Sequence, residues 1–130
     1  MTDRDKPPLT QAMQDAWWDL NPHIDDFDAI VCAGDFHGVA LSAAIAGFLH
    51  KPLMIICRDP RNTVSLIVPI GEVDFRDSRF LYVDDAFTFG RSLAEVFAYM
   101  DSSGTPAPVV ATYEVTTREY KETGRVVPAS

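Results

Sequence analysis

The sequence predicts a single α/β domain with a doubly wound, mostly parallel sheet flanked by helices. Its length, 130 residues with 47% hydrophobic and 23% charged side chains, fits one globular domain. Short apolar runs rich in β-branched residues alternate with segments of helical spacing, which is the pattern of parallel strands joined by helices. The first strand, helix and second strand lie within about 30 residues and so form a βαβ unit with a right-handed crossover.

The first half of the chain supplies that βαβ unit and a helix before it. Residues 1–8 are polar, end in two prolines and predict a frayed terminus. Thr10 is a suitable N-cap, and apolar residues recur at three- and four-residue spacing from there to residue 20, which predicts an amphipathic helix. The apolar run 29–33 predicts the first strand. Residues 38–49 are rich in Ala, Leu and Ile and end before a proline, so they predict the second helix.

The alternation is interrupted after the second predicted strand, residues 53–57. Turn residues are followed by a strand-like stretch at 63–70, which predicts an excursion that is either a hairpin or a mobile flap. We take residues 62–78 as the candidate flap. Residues 80–83 then predict a third buried strand.

The rest of the chain predicts one more helix and one more strand. Apolar residues have helical spacing from 93 to 100, and residues 109–115 predict the last ordered strand. Residues 118–130 are polar and predict a tail. We therefore treat residues 1–130 as one domain.

The charge balance limits the class of partner. Nineteen acidic residues against eleven basic ones give a net charge of −8, which repels a phosphate backbone over the ~8 Å screening length at physiological salt, so nucleic-acid binding is disfavoured. Neither a secretory leader nor an apolar stretch approaching the ~20 residues that span a bilayer is present in the sequence, so we expect no membrane association. Cys32 and Cys57 lie in apolar runs without metal-ligand spacing, as in proteins of a reducing compartment. We expect a cytoplasmic protein.

The strongest chemical signal follows the third predicted strand. That strand delivers Asp84 and Asp85 to the carboxyl edge of the sheet, and a loop containing hydroxyls and a glycine then opens a helix. The loop residues are Thr88, Phe89, Gly90, Arg91 and Ser92. Backbone N–H groups at a helix N-terminus, with hydroxyl donors beside them, bind an anion such as phosphate. Two carboxylates beside a phosphate repel it unless they face sugar hydroxyls or a divalent cation. The combination suits a sugar phosphate held with magnesium.

This segment resembles the 5-phosphoribosyl-1-pyrophosphate (PRPP) signature of type I phosphoribosyltransferases, an apolar strand, Asp-Asp, two apolar residues and a Thr/Ser/Gly loop. The resemblance implies that Asp84 and Asp85 hold the ribose 2- and 3-hydroxyls and that the loop holds the 5-phosphate. Phe89 replaces a usual Thr, Ser or Ala. Arg91 replaces a frequent Gly, and its guanidinium adds a charged donor for phosphate.

A second resemblance follows the first predicted strand. Asp35, Phe36, His37 and Gly38 are similar to the pyrophosphate-binding loop of orotate phosphoribosyltransferases, in which an aromatic residue, a basic residue and Gly precede an apolar helix. His37 stands where that family carries Lys. Because the unperturbed pKa of His is about 6.5, a pyrophosphate contact through His37 would be pH-sensitive.

A third resemblance lies at the end of the second predicted strand. Arg58, Asp59 and Arg61 fit the basic, acidic, spacer, basic pattern with which orotate-type enzymes begin a mobile catalytic loop. Residues 63–64, Thr-Val, replace the His-Gly that follows in those enzymes, and the loop lysine of the family is absent. Arg58 and Arg61 can still neutralise charge on the departing pyrophosphate.

Together the resemblances imply a Mg2+-dependent phosphoribosyltransferase that transfers the 5-phosphoribosyl group of PRPP to a nucleobase-like acceptor and releases pyrophosphate. Asp84, Asp85, Arg58 and Arg61 would be its catalytic residues, with Mg2+ held indirectly through PRPP beside the two aspartates. The resemblance also implies a homodimer, for which the helix carrying Trp17 and Trp18 is one candidate interface. The base is not identified.

Other interpretations remain open. The domain could bind PRPP or a nucleotide without turnover, as a regulator or partner subunit, which the basic-residue replacements favour. Asp84 and Asp85 could instead form a Mg2+-dependent phosphoacceptor of a flavodoxin-like receiver, which requires a lysine near the strand ends, and Lys121 is the only lysine after Lys51. In the plainest interpretation Asp84 caps a helix, and His37 and the arginines are solvated.

Overall fold

The computed structural model describes residues 9–33, 36–58, 64–70, 78–85, 96 and 108–124, and gives the backbone alone for residues 9, 36–38, 57, 58 and 64–70. The helices are α1 (Leu9–Leu20), a 3-10 turn (Asn21–His23) and α2 (Phe36–Leu49). The strands are β1 (Ala29–Ala33), β2 (Leu53–Arg58), β3 (Val64–Ile70), β4 (Phe80–Asp84), β5 (Val109–Glu114) and β6 (Glu119–Glu122). None of the helices in these ranges is long and apolar enough to cross a membrane.

The described strands form one sheet in the order β3-β2-β1-β4-β5-β6. The pairs β1–β2, β1–β4 and β4–β5 are parallel, whereas β2–β3 and β5–β6 are antiparallel hairpins at the two edges. The predicted α/β class with a mostly parallel sheet is therefore confirmed, and so is the hairpin interpretation of the excursion.

Side chains on both faces of the central strands are buried, which is why these strands are almost continuously apolar in sequence. One face contributes its residues to the core beneath the two described helices: Ile30, Cys32, Leu81, Val83, Ala111 and Tyr113. The side chains on the opposite face are also shielded from solvent: Val31, Met54, Phe80 and Tyr82 are fully buried. A sheet buried on both faces is what a doubly wound fold requires.

Helix α2 crosses over between β1 and β2 and packs against β1, β2 and β4, while α1 packs against α2. The core side of α1 is formed by Ala12, Ala16 and Leu20, which lie four residues apart and share one helical face. Trp17 and Trp18 lie off that face and are 42% and 71% exposed. They are therefore not core residues of the described fold.

The amino edge of the sheet is held by Arg79, which precedes β4. Its backbone N–H and its guanidinium donate to the Asp28 carboxylate at 2.7 to 3.1 Å, and Nη2 also donates to the Asp25 carbonyl at 2.9 Å. The hydrogen bonds from Arg79 hold the pKa of Asp28 below its ordinary value. This ion pair ties the starts of β1 and β4 together at the edge opposite the carboxyl ends.

Helix α2 ends in a Schellman motif built on a residue other than glycine. The Lys51 N–H donates to the Ala46 carbonyl at 2.9 Å and the His50 N–H donates to the Gly47 carbonyl at 3.3 Å, while His50 has φ of 57°. This left-handed position usually carries glycine, because a Cβ there costs roughly 1 kcal/mol or more.

We expect His50→Gly to raise the free energy of unfolding by about 0.5–1 kcal/mol, because it relieves the left-handed strain in the native state. The exposed imidazole contributes no core packing that the substitution would remove. Urea titration followed by circular dichroism measures the change. His50→Ala is the matched control and gives no gain, since it keeps the Cβ; a fall in stability for His50→Gly would contradict this account.

Several predicted boundaries are wrong. Helix α2 begins at Phe36 rather than at residue 38, and β2 runs through Arg58. The expectation that the strand at 109–115 is the last one is also wrong, because β6 follows within the segment taken as a polar tail. Polar β6 forms because β5 offers its unpaired edge and the four-residue turn 115–118 brings the chain back to it.

The flap prediction for residues 62–78 needs correction as well. Residues 64–70 are strand β3, paired along the whole of β2, and so belong to the sheet. Ile70, the last residue of β3, pairs with Leu53 at the amino edge, where β4 also begins. The segments 59–63 and 71–77 themselves lie outside the described residues, as do residues 1–8 and most of the predicted helix 93–100, of which Val96 is helical and buried.

Candidate functional site

The candidate site lies at the carboxyl edge of the sheet, where the strand order reverses. From β1 the chain passes to β2 on one side, whereas β4 lies on the other side of β1 and leads to β5. The crevice between the carboxyl ends of β1 and β4 is therefore a topological switch point, where open α/β sheets bind their ligands. The four parallel strands end at this edge at Ala33, Arg58, Asp84 and Glu114.

Asp84 is the last residue of β4, and its carboxylate accepts hydrogen bonds from Tyr82 and from the backbone of Asp85. The Tyr82 hydroxyl donates to Oδ2 at 2.8 Å, and the Asp85 backbone N–H donates to Oδ1 at 2.7 Å. Successive side chains of a strand point to opposite faces, so Tyr82 and Asp84 share a face and lie within reach of each other. Tyr82 is fully buried, while Asp84 is partly exposed. The strand thus places a supported carboxylate at the mouth of the crevice.

Asp85 is supported by the turn that follows the neighbouring strand β5. The Thr116 hydroxyl donates to Asp85 Oδ1 at 3.0 Å, and the Thr116 N–H donates to the Asp85 carbonyl at 2.9 Å. The Val115 N–H donates to the Asp84 carbonyl at 2.9 Å. The parallel pairing of β4 with β5 thus continues past the strand ends and holds the backbone of the acidic pair.

This arrangement presents two adjacent carboxylates, each with oxygens already oriented by protein donors. Ionised carboxylates only accept hydrogen bonds, and each offers about four lone-pair positions, so one carboxylate can accept hydrogen bonds from protein donors and from a ligand together. Vicinal hydroxyls of a sugar are suitable donors. Among the residues that the structure describes, no three His, Cys, Asp or Glu side chains cluster as metal ligands.

The start of α2 borders the same crevice. Helix α2 begins three residues after the end of β1, and Phe36, His37 and Gly38 form its first turn. The first N–H groups of a helix have no intrahelical partner and carry the positive end of the helix dipole, so an anion is stabilised there. Ser42, one turn further along, donates from its buried hydroxyl to the Val83 carbonyl at 3.4 Å and so ties α2 to β4 beside the acidic pair.

Of the basic residues predicted for the site, Arg58 is placed at this edge. It ends β2, which is separated from β4 by β1 alone, and it lies two residues beyond Ile56, the register partner of Ala33 at the end of β1. The remaining predicted site residues lie outside the described part of the chain: Asp35, Arg61, Thr88, Phe89, Gly90, Arg91 and Ser92. The structure therefore brings together the acidic pair, the turn 36–38 and Arg58.

The receiver interpretation needs a lysine close to the acidic pair, and Lys121 does not fill that place. Lys121 lies on β6, which is separated from β4 by β5, and its ammonium pairs with Glu119 at 2.9 Å. Its register partner on β5 is Thr112, two residues before the carboxyl end of that strand.

Comparison with known proteins identifies the fold. No protein-family model and no curated protein matches the sequence. Among solved structures, orotate phosphoribosyltransferase from Aeropyrum pernix is similar, with a TM-score of 0.59 and 21% identity over 76% of this chain. This chain has the phosphoribosyltransferase fold. A purine phosphoribosyltransferase from Pyrococcus horikoshii matches with a TM-score of 0.56 and 19% identity over 81% of the chain.

A third phosphoribosyltransferase was solved with a ligand. It is the orotate phosphoribosyltransferase of Mycobacterium tuberculosis H37Rv in complex with PRPP, with a TM-score of 0.55 and 18% identity over 79% of this chain. The matches cover 54%, 70% and 58% of the A. pernix, P. horikoshii and M. tuberculosis chains. This chain thus spans about half the length of the two orotate phosphoribosyltransferases. The phosphoribosyltransferase fold predicted from the motifs is confirmed.

Sequence reasoning missed Tyr82 and Thr116, the hydroxyl residues that hold the acidic pair. Tyr82 could have been found from the period-two alternation that places it on the face of Asp84. Thr116 could not, because its contact with Asp85 depends on the register of β4 with β5, in which Asp84 lies opposite Glu114.

Proposed function

We propose that this protein binds PRPP at the carboxyl edge of its sheet and transfers the 5-phosphoribosyl group to a nitrogenous base, releasing pyrophosphate. The observation that carries the proposal is the pair Asp84 and Asp85, supported by Tyr82 and Thr116 at the switch point of a phosphoribosyltransferase fold. The complex of the M. tuberculosis enzyme with PRPP supports the choice of ligand.

In this proposal the ribose, the 5-phosphate and the pyrophosphate of PRPP each have their own binding group. Asp84 and Asp85 accept hydrogen bonds from the ribose 2- and 3-hydroxyls, and the loop 88–92 binds the 5-phosphate. The pyrophosphate lies at the segment 35–38, which includes the first turn of α2, because the first N–H groups of a helix have no intrahelical partner and stabilise an anion. Arg58 and Arg61 add positive charge on the β2 side.

In the proposed reaction the protein takes little direct part in making or breaking bonds. A nitrogen of the base attacks C1 of the ribose as the bond from C1 to the pyrophosphate oxygen breaks, through an oxocarbenium-like transition state. The pyrophosphate leaves with the electron pair of that bond. Asp84 and Asp85 orient the ribose, while the N–H groups of α2 and the arginines stabilise the charge that develops on the leaving group.

The two carboxylates are suitable protein groups for a magnesium ion that binds together with PRPP. Mg2+ is usually bound by one or two carboxylates together with substrate phosphates rather than by a protein cage. Asp84 and Asp85 would be the protein groups near such an ion. When bound, Mg2+ neutralises charge on the pyrophosphate group.

We also propose a homodimer that works in the cytoplasm. The exposed indoles of Trp17 and Trp18 support an interface on α1, since large aromatic side chains left in water favour association. The buried thiol of Cys32, which is not part of a disulfide, supports a reducing compartment.

Calorimetric titration of PRPP with Mg2+, followed by a pyrophosphate-release assay, tests the proposed function. The acceptor panel is orotate, uracil, adenine, guanine, hypoxanthine and nicotinate. We expect saturable binding and release of pyrophosphate with one of these bases. Binding without release across the panel would favour the regulatory alternative, and no binding at millimolar PRPP by the folded protein would refute the PRPP site.

A further inference from the structure

We propose that Tyr82 is a positioning residue, whose buried hydroxyl fixes the Asp84 carboxylate in the orientation that accepts the ribose hydroxyls. This inference rests on the proposed function, because it assigns Tyr82 a task in the binding of that ligand. Tyr82 does not itself touch the ligand in this account. It acts through Asp84.

The burial of Tyr82 makes its hydroxyl a committed donor. The side chain is fully buried within β4, and buried phenol hydroxyls almost always take a hydrogen-bond partner. The Asp84 carboxylate provides an acceptor at 2.8 Å, two residues along the same face of the strand. Because a packed aromatic ring cannot follow a moving carboxylate, this contact holds Asp84 in place.

The same carboxylate is held from its other oxygen as well. The Asp85 N–H donates to Oδ1 at 2.7 Å, while the Tyr82 hydroxyl donates to Oδ2. Two donors on different oxygens restrict rotation of the group about its Cβ–Cγ bond. The carboxylate then keeps a defined direction at the mouth of the crevice, so ligand binding need not order it first and less affinity is lost.

The support of Asp85 is separate and comes from the turn that follows β5. The Thr116 hydroxyl donates to Asp85 Oδ1 at 3.0 Å. The loss of the Tyr82 hydroxyl therefore leaves this contact and the backbone hydrogen bonds of residues 115 and 116 in place. Within the acidic pair, the direct effect of such a change should fall on Asp84 rather than on Asp85.

The neighbouring strand offers a matched control in Tyr113. Tyr113 is also fully buried, and its hydroxyl also donates to a carboxylate, Asp19 Oδ2, at 2.7 Å. It pairs with Val83 in the sheet, and its side chain belongs to the core on the α1 side, away from the face of Tyr82 and Asp84. Tyr→Phe at either position removes one buried phenol oxygen from the sheet.

The experiment measures the dissociation constants of three ligands for the wild type, Tyr82→Phe and Tyr113→Phe. The ligands are PRPP with Mg2+, ribose 5-phosphate, and inorganic phosphate, which lacks the ribose hydroxyls. We expect Tyr82→Phe to weaken PRPP and ribose 5-phosphate by about tenfold and to leave inorganic phosphate unchanged. Tyr113→Phe should lower the melting temperature without changing any of the three constants.

A rescue variant separates positioning from packing. Tyr82→4-aminophenylalanine keeps a donor at the same place and should recover most of the lost affinity, whereas Tyr82→4-methylphenylalanine keeps the volume without a donor and should not. If Tyr82→Phe does not fold, these two variants provide the same comparison.

The outcomes distinguish the inference from the proposed function. Equal affinity of wild type and Tyr82→Phe for PRPP, with Asp84→Asn still impaired, would overturn the positioning role and leave the proposed function standing. A uniform loss for all three ligands would overturn it too, since it indicates a general structural effect. Failure of the wild type to bind PRPP would overturn both.

Discussion

Replacing Asp84 and Asp85 together by asparagine weakens the binding of PRPP with Mg2+ by about a hundredfold or more. Each carboxylate is expected to accept a hydrogen bond from a ribose hydroxyl, and a hydrogen bond to a charged group contributes about 1.5–3 kcal/mol. Asparagine at position 84 keeps an acceptor oxygen for the backbone N–H of residue 85 and offers an NH2 donor to the Tyr82 oxygen, while asparagine at position 85 keeps an acceptor for Thr116, so the fold is retained. Calorimetry measures the loss of affinity, and circular dichroism checks the fold.

The control must remove two negative charges elsewhere, because PRPP is itself an anion. Asp25 and Asp26 are exposed residues before β1, close to Arg79 at the amino edge. The variant Asp25→Asn, Asp26→Asn changes the net charge by the same two units and should leave the affinity unchanged. If both double variants bind PRPP as the wild type does, the acidic pair is not part of the site.

Replacing Asp19 by alanine lowers the free energy of unfolding by about 2–3 kcal/mol, because it removes a charged acceptor and leaves a buried donor unpaired. Asp19 near the end of α1 accepts hydrogen bonds from Arg118 Nε at 2.9 Å, Arg118 Nη2 at 2.8 Å and the Tyr113 hydroxyl at 2.7 Å. These contacts tie α1 to the turn between β5 and β6. Denaturant titration measures the loss.

Lowering the pH should reduce the contribution of Asp19 to the free energy of unfolding. Burial raises its pKa, but the hydrogen bonds from Arg118 and Tyr113 outweigh burial and hold the pKa below the ordinary value of 3.8. The stabilisation is thus fully present above about pH 4 and disappears as the pH falls through the lowered pKa. We expect the stability difference between wild type and Asp19→Ala to shrink below that pH.

Asp15 supplies the control for this change. It lies one turn earlier on α1 and 3.6 Å from Arg118 Nη1, but no contact of Asp15 with Tyr113 is among the hydrogen bonds described for the structure. Asp15→Ala removes the same charge and should cost well under half as much. Equal losses for the two variants would show that general charge, rather than the hydrogen bonds to Asp19, stabilises this end of α1.

The sequence predicts the buried parts of the fold well and the exposed edges poorly. Strands β1 and β4 are buried in the core, so the ends of their apolar runs in the sequence agree with the observed strand ends to within one residue. Strand β6 has the sequence Glu-Tyr-Lys-Glu, with no apolar alternation, and forms by pairing with β5. Its turn places Arg118 at φ of 58°, where Gly or Asn would have signalled a turn.

The candidate site shows the same division. Asp84 and Asp85 are predictable because two carboxylates directly after a buried strand must emerge at the sheet edge. The support of Asp85 by Thr116 is not predictable, because those residues lie 31 positions apart and meet only through the register of β4 with β5. Local patterns therefore indicate which groups bear the chemistry, while strand pairing determines what orients them.

The most direct test of the central claim is to map the PRPP site by the amide chemical shifts of the 15N-labelled protein, titrated with PRPP and Mg2+. The largest changes should fall on Asp84, Asp85 and Thr116 at the carboxyl edge. The amides of Asp28 and Arg79 at the amino edge should not move. Changes confined to the amino edge, or none at saturating millimolar PRPP, would contradict the assignment of the acidic pair as the ribose-binding site.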